Sequence, residues 1–196
     1  MRIGIYLGSF DPIHNGHLEA ISSALTVGKC DKVIVVPTMH NPWKKHAPAN
    51  IEGRAEMIRL ATSKFGDAVE VSTIESTLKP PYYSCNTLEA LRNEHPDDDL
   101  FIIVGSDAFN DIDKWHDFHD KILPYFGFID FERKGVDTAT SPNFEPVSRI
   151  HIKTSLETNI SSTEIRDMIA NGVKDVPNMP QNVVEYIFNN GLYSKA

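Results

Sequence analysis

The chain is expected to fold as an α/β protein: a doubly wound, Rossmann-like parallel sheet with helices on both faces. Three features predict this. Short strand-like runs alternate with helix-like segments along the sequence. Most of those runs are continuously apolar, the pattern of strands covered on both sides. The first run ends in a glycine-bounded turn, Gly8-Ser9-Phe10-Asp11-Pro12-Ile13-His14-Asn15-Gly16-His17, that leads directly into a helical pattern.

Taken in order, Ile3 to Leu7 reads as the first strand. Leu18, Ile21 and Leu25 then share one helical face, so a helix is expected over Gly16 to Thr26. Lys32 to Pro37 is the second strand. The stretch from Pro37 to Asn50 holds three prolines with Lys44, Lys45 and His46, and reads as a loop over the ligand crevice. Ile51 to Phe65 is a helix with Met57, Leu60 and Ala61 on its apolar face. Val69 to Ser72 is a strand, Cys85 to Glu94 a helix, and Leu100 to Val104, Tyr125 to Phe131 and Arg149 to Lys153 are the remaining strands. Gly135 to Pro146 reads as a surface connection. Ser161 to Asn190 predicts two helices separated by Gly172 to Pro180, with Gly191 suited to a helix C-terminal cap. In such a sheet the ligand belongs outside the carboxyl ends of the strands, where the strand order reverses.

At 196 residues the chain can bury a full hydrophobic core as one domain, without metals or disulfides to hold it. A hydrophobic content of 41% and a charged content of 23% exclude the disordered and membrane-embedded classes. No apolar run approaches the roughly 20 residues of a membrane span, and the first residues do not read as a signal peptide. A cytoplasmic protein with no membrane partner is expected. Two cysteines, Cys30 and Cys85, are too few for a disulfide framework or a zinc cluster and fit a reducing compartment. The net charge of -8 argues against a nucleic-acid partner. A phosphate must then be met by a small local cluster of His, Lys, Arg and backbone N–H groups. A homo-oligomer is left open.

The glycines of the first turn would let the backbone bend sharply and approach a ligand, with the new helix aiming N–H groups at it. His14 and His17, three residues apart, would face one pocket. There they suit donation to phosphate oxygens whose charge grows as a P–O bond breaks. Neither a Gly-x-Gly-x-x-Gly turn nor a P-loop lysine is present, so the histidines must carry what those elements carry elsewhere. Capping or packing explains a lone histidine at a helix start but not a pair, and a zinc pair lacks a third ligand with support. No protein-held metal is therefore expected. Near the other end, Ile160-Ser161-Ser162-Thr163-Glu164-Ile165-Arg166 contains a capping box of Ser161 and Glu164. Capping leaves Arg166 unexplained. A helix start with hydroxyls and a guanidinium suits the outer phosphates of a triphosphate.

These two stretches resemble the paired signatures of the adenylyltransferase superfamily, marked by a His-x-Gly-His or Thr-x-Gly-His turn and a distal Ile-Ser-Ser-Thr-x-Ile-Arg motif. Within it, the middle of the chain is similar to the nicotinate or nicotinamide mononucleotide adenylyltransferases. Gly105-Ser106-Asp107 followed by Trp115 resembles their Gly-x-Asp…Trp block. Tyr82-Tyr83-Ser84-Cys85-Asn86-Thr87-Leu88 resembles their Ser-Tyr-Thr-x-Asp-Thr-Leu segment, with Tyr82 and Asn86 as departures. Asn41-Pro42-Trp43-Lys44 stands where the bacterial enzymes have Pro-Pro-His-Lys, and Arg133 matches an arginine they carry after the corresponding strand.

The resemblance implies one nucleotidyltransferase domain over residues 1–196, its C-terminal helical part beginning at about residue 161. It implies ATP and nicotinate or nicotinamide mononucleotide as substrates, and Mg²⁺ bridging the ATP phosphates with few or no protein ligands. His14, His17 and Arg166 would be the catalytic residues. ATP would be bound by Gly8, Ser9, Phe10 and Gly16 in the first turn, by Gly105 and Asp107 in the middle block, and by Ile160, Ser161, Ser162 and Thr163 in the distal motif. Asp107 would accept from ribose hydroxyls. The mononucleotide would meet Lys44 and Arg133, with Trp115 stacking on the pyridine ring and Tyr83 and Thr87 lining it. Phosphopantetheine adenylyltransferases share both hallmarks but have Thr in place of His14 and lack the Gly105 to Trp115 block. A non-catalytic nucleotide-binding module would not need the histidine pair.

Overall fold

Six runs, most of them rich in β-branched residues, form strands that all pair in parallel: β1 (Arg2–Gly8), β2 (Lys32–Pro37), β3 (Val69–Val71), β4 (Asp99–Gly105), β5 (Gly127–Glu132) and β6 (Arg149–Lys153). The computed structural model describes residues 1–39, 49–132, 144–153 and 161–194, and the side chain of Asp107 is not among what it describes. Sheet order is β3-β2-β1-β4-β5-β6. The chain winds outward from β1 to β3, returns to lay β4 beside β1, and winds outward again. The reversal falls between β1 and β4, so their carboxyl ends open the crevice in which this architecture binds ligands.

Alternation along the buried strands divides the core into two layers. Tyr6, Val33, Val35, Ile103 and Ile129 face helices α1 (Asn15–Thr26), α2 (Ile51–Thr62), α5 (Ser162–Ala170) and α6 (Gln181–Asn189), which contribute Ile21, Met57, Ile165 and Ile187. Ile3, Ile5, Ile34, Ile102 and Phe128 face α3 (Ser84–Glu94) and the short α4 (Ser106–Phe109), with Leu88, Leu91 and Phe109. Helices on both faces and a parallel sheet agree with the expected class.

Two boundaries differ from expectation by more than one residue. The second helix ends at Thr62 instead of Phe65, because residues 63–68 tighten into 3₁₀ turns broken by Gly66 at φ +55°. The fifth strand begins at Gly127 and not Tyr125. The chain there leaves a π-helical turn (Phe118–Ile122), and a Cβ at Gly127 would lie 2.4 Å from the Phe101 ring of the neighbouring strand. The two C-terminal helices appear as expected, and Gly191 follows α6 with φ +60°.

Candidate active site

The turn after β1 is built around its rings. Phe10 sits in the left-handed region at φ +45° and is buried, its ring edge-on to Tyr6 at 5.1 Å and to His17 at 5.0 Å. The glycines make room for this packing: a Cβ at Gly8 would lie 2.9 Å from the Phe10 ring, and one at Gly16 would lie 3.1 Å from the His14 ring. The His14 and His17 rings lie against each other with centroids 3.8 Å apart and planes tilted by 34°. His14 is the N-cap of α1, and its backbone N–H donates to His17 Nδ1 at 3.2 Å. An accepting Nδ1 puts the His17 proton on Nε2, which makes that nitrogen a donor. The amides of α1 are less open than a bare helix start. Asn15 N–H donates to the Asn178 carbonyl and His17 N–H to the His14 carbonyl.

The distal signature meets this turn directly. Ser162 Oγ donates to the Pro12 carbonyl at 3.0 Å across 150 residues of sequence, and Arg166 Nη1 donates to the Asp11 carbonyl at 2.7 Å. Arg166 also bonds Thr163 Oγ1 at 3.2 Å. The expected capping box is present, with Ser161 Oγ accepting from Glu164 N–H and Glu164 Oε2 accepting from Ser161 N–H. The hydroxyls of Ser161 and Ser162 thus donate within the protein. What the start of α5 retains for a ligand is its first amides, which have no intrahelical acceptors, and the Arg166 guanidinium. Behind them, Tyr193 donates to the buried Asp11 at 2.7 Å. Burial, then the Asp11 charge, push its phenol well above the ordinary range, so this bond keeps its proton.

On the other side of the crevice, Gly105 caps α4, and Ser106 Oγ donates to Asp130 Oδ2 at 3.3 Å. Asp130 is fully buried in β5 and takes a bidentate Arg149 fork at 2.8 and 2.9 Å as well as His151 Nδ1 at 2.7 Å. Burial alone would raise its pKa, but the hydrogen bonds and charges of Arg149 and His151 outweigh this and hold the carboxyl below its ordinary value. Asp130→Ala is expected to cost about 2 kcal/mol in urea unfolding at neutral pH, since Arg149 regains water in the variant. A depressed folded pKa contributes stability above the unfolded value of about 4 and loses it as pH falls through the folded one, so the gap between wild type and variant should close in acid.

Of the pyridine-side residues, Tyr83 precedes α3 and lies half-exposed with its ring 4.2 Å from that of His116, beside the partly buried Trp115. His116 was not anticipated. Thr87 is fully buried, and its hydroxyl donates to Glu75 Oε1 at 2.7 Å. Lys44, Arg133 and Ile160 lie outside the described residues. So do Asn41, Pro42, Trp43, Lys45 and His46 of the same loop. Two buried charges that the sequence did not mark lie near the carboxyl end of β2. Arg54 donates to the carbonyls of Ser9 and Thr38 at 2.8 Å each, and Glu75 accepts from Met39 N–H at 2.6 Å. Among the described residues no three His, Cys, Asp or Glu side chains gather as a metal site.

A nucleotide-binding sheet with two anion-handling signatures joined at its switch point defines a nucleotidyltransferase, and residues 5–168 match the family model described as cytidylyltransferase-like. The chain is 37% identical to the "Probable nicotinate-nucleotide adenylyltransferase" of Thermus thermophilus, covering 98% of this chain and all of that protein. It is 32% identical to the protein of the same name from Flavobacterium johnsoniae, over the full length of both. The chain belongs to the nicotinate-nucleotide adenylyltransferase family. Its fold matches that of the Plasmodium falciparum nicotinic acid mononucleotide adenylyltransferase complexed with NaAD, with a TM-score of 0.76 at 22% identity over 98% of this chain and 97% of that one. No helix among the described residues is long and apolar enough to cross a membrane.

Proposed function

We propose that this chain, acting as one domain in the cytoplasm, joins ATP to nicotinate mononucleotide to give nicotinate adenine dinucleotide and pyrophosphate. The observation that carries the reading is the direct bonding of the two signatures, Ser162 to Pro12 and Arg166 to Asp11, which supports taking the histidine pair and the guanidinium as parts of one site. An oxygen of the mononucleotide 5′-phosphate attacks the α-phosphorus of ATP in line, and the bond to the α,β-bridging oxygen breaks. A phosphate monoester is already ionised at neutral pH, so the step needs no protein base and no covalent intermediate. Catalysis is positioning and charge stabilisation. His17 Nε2–H and His14 donate to the α-phosphoryl oxygens, while Arg166 and the first amides of α5 hold the leaving pyrophosphate. Gly105 and Asp107 take the adenosine side; Tyr83, Trp115, Lys44 and Arg133 take the mononucleotide.

A Mg²⁺ ion carried by ATP would supply charge neutralisation for the transfer, with few or no ligands from this chain. Chelation with excess EDTA should abolish pyrophosphate release, and added Mg²⁺ should restore it. Unchanged turnover in EDTA would contradict this part of the reading. The names of the relatives favour the acid over the amide. Turnover measured separately with nicotinate mononucleotide, nicotinamide mononucleotide and pantetheine phosphate should rank the first highest by at least about tenfold, a margin that one well-placed charged hydrogen bond supplies. Turnover with pantetheine phosphate alone would overturn it.

A further inference from the structure

Arg54 and Glu75 are each almost wholly buried, and Arg54 is bonded to the turn after β1 through the Ser9 carbonyl. Burial pushes the Arg54 guanidinium down from its ordinary value and the Glu75 carboxyl up, so both charges are desolvated. Two such charges persist only where every polar atom is engaged, and well-packed apolar residues in their place would often be as stable. Their partners are unusually specific. Arg54 Nη1 holds the Ser9 and Thr38 carbonyls together, and Nε holds the Ala49 carbonyl at 3.1 Å. Glu75 Oε2 accepts the Met39 N–H, and Oε1 accepts the Thr87 hydroxyl of α3.

Thr38 C=O and Met39 N–H belong to one peptide unit. The cation grips its oxygen and the anion its hydrogen, each at the end that its charge favours. Thr38 N–H in turn donates to the Gly8 carbonyl at 2.8 Å. A continuous polar chain thus runs from the Gly8-Ser9 turn, through Arg54, the Thr38–Met39 peptide and Glu75, to Thr87 in the first turn of α3. One end is the turn that approaches the ATP phosphates. The other is the carboxyl end of β2 and the helix that follows Tyr83, on the mononucleotide side.

We propose that Arg54 and Glu75 are positioning residues for the transfer, clamping the Thr38–Met39 peptide between them and so fixing the distance between the ATP half-site and the mononucleotide half-site. The proposal rests on the transferase reading above. In-line displacement is sensitive to this distance, since misplacement by about 1 Å can cost about 10² in rate with little change in either binding step. A lysine at position 54 would keep the charge but could not span three carbonyls with a planar fork.

The test is steady-state kinetics on the full chain at saturating ATP and nicotinate mononucleotide, well below each variant's Tm. Arg54→Lys should lower kcat by about 10- to 100-fold while the KM of each substrate stays within about threefold. Thr87→Val, which removes only the hydroxyl at the far end of the chain, should lower kcat by about three- to tenfold, and Thr87→Ser, which keeps it, should recover wild-type kcat. A lowered Tm with unchanged kcat in Thr87→Val would overturn the proposal, whether or not Arg54→Lys folds. So would a rise in one KM at constant kcat, which would make Arg54 an ordinary binding contributor. A wild-type chain without turnover would overturn the transferase reading and this proposal with it, whereas an active wild type with unaffected variants overturns the clamp alone.

Discussion

His17→Ala should lower kcat for dinucleotide synthesis by about 10²- to 10³-fold while leaving the KM for ATP within a few-fold. The reason lies in the hydrogen bond that sets its tautomer. With the His14 N–H donated into Nδ1, the imidazole keeps its proton on Nε2 and acts as an oriented neutral donor. Its ring is further fixed between the His14 ring and the edge of Phe10. A donor held in place before substrate arrives needs no reorganisation when charge builds on the α-phosphoryl oxygens, so its contribution appears in the transition state more than in ATP binding. Steady-state rates of pyrophosphate release at varied ATP check this. Equal losses in kcat and in ATP affinity would make His17 a ground-state contact. His17→Asn, whose amide can donate near the same place, should recover part of the loss.

Arg166→Ala should have a larger and different signature, a fall of about 10³-fold in kcat/KM for ATP in which both parameters take part. The guanidinium is mostly buried and bonded both to the Asp11 carbonyl and to Thr163 of its own helix, with Asp11 Oδ2 4.0 Å from Nη1, so the first turn and α5 together set its position. Removing it would delete the cation proposed to hold the departing pyrophosphate and also a bond that ties α5 to that turn. Arg166→Lys keeps charge but cannot reach Asp11 and Thr163 together, and should remain well below wild type. Product assays with both variants, alongside thermal unfolding, separate the two contributions. Loss of Tm with turnover intact would assign Arg166 to helix docking only.

The strands were legible because a sheet covered on both faces leaves continuous apolar runs, and the helices because their apolar residues keep helical spacing. The two signatures were legible as well, since paired histidines at a helix start and an arginine beyond a capping box have no purely local explanation. Their contact was not legible, because it depends on how α5 packs across the sheet. Arg54 shows the limit most clearly. In sequence it resembles Arg59 of the same helix, which lies at the surface paired with Glu56, and only the fold reveals that one cation is buried among carbonyls. The bond from Thr87 to Glu75 was hidden for a related reason, since a hydroxyl type does not disclose its partner. Asp130 was the readable signal that went unused, a lone carboxylate inside an apolar strand, where burial demands partners.

In the proposed reaction adenylyl passes directly from ATP to the mononucleotide at the joined signatures. Incubating the chain with Mg²⁺, nicotinate mononucleotide and ATP labelled at the α-phosphorus tests it most directly. The expected result is label in nicotinate adenine dinucleotide, with one pyrophosphate released for each dinucleotide formed. Label that stays in ATP, or that appears as AMP or ADP without dinucleotide, would contradict it.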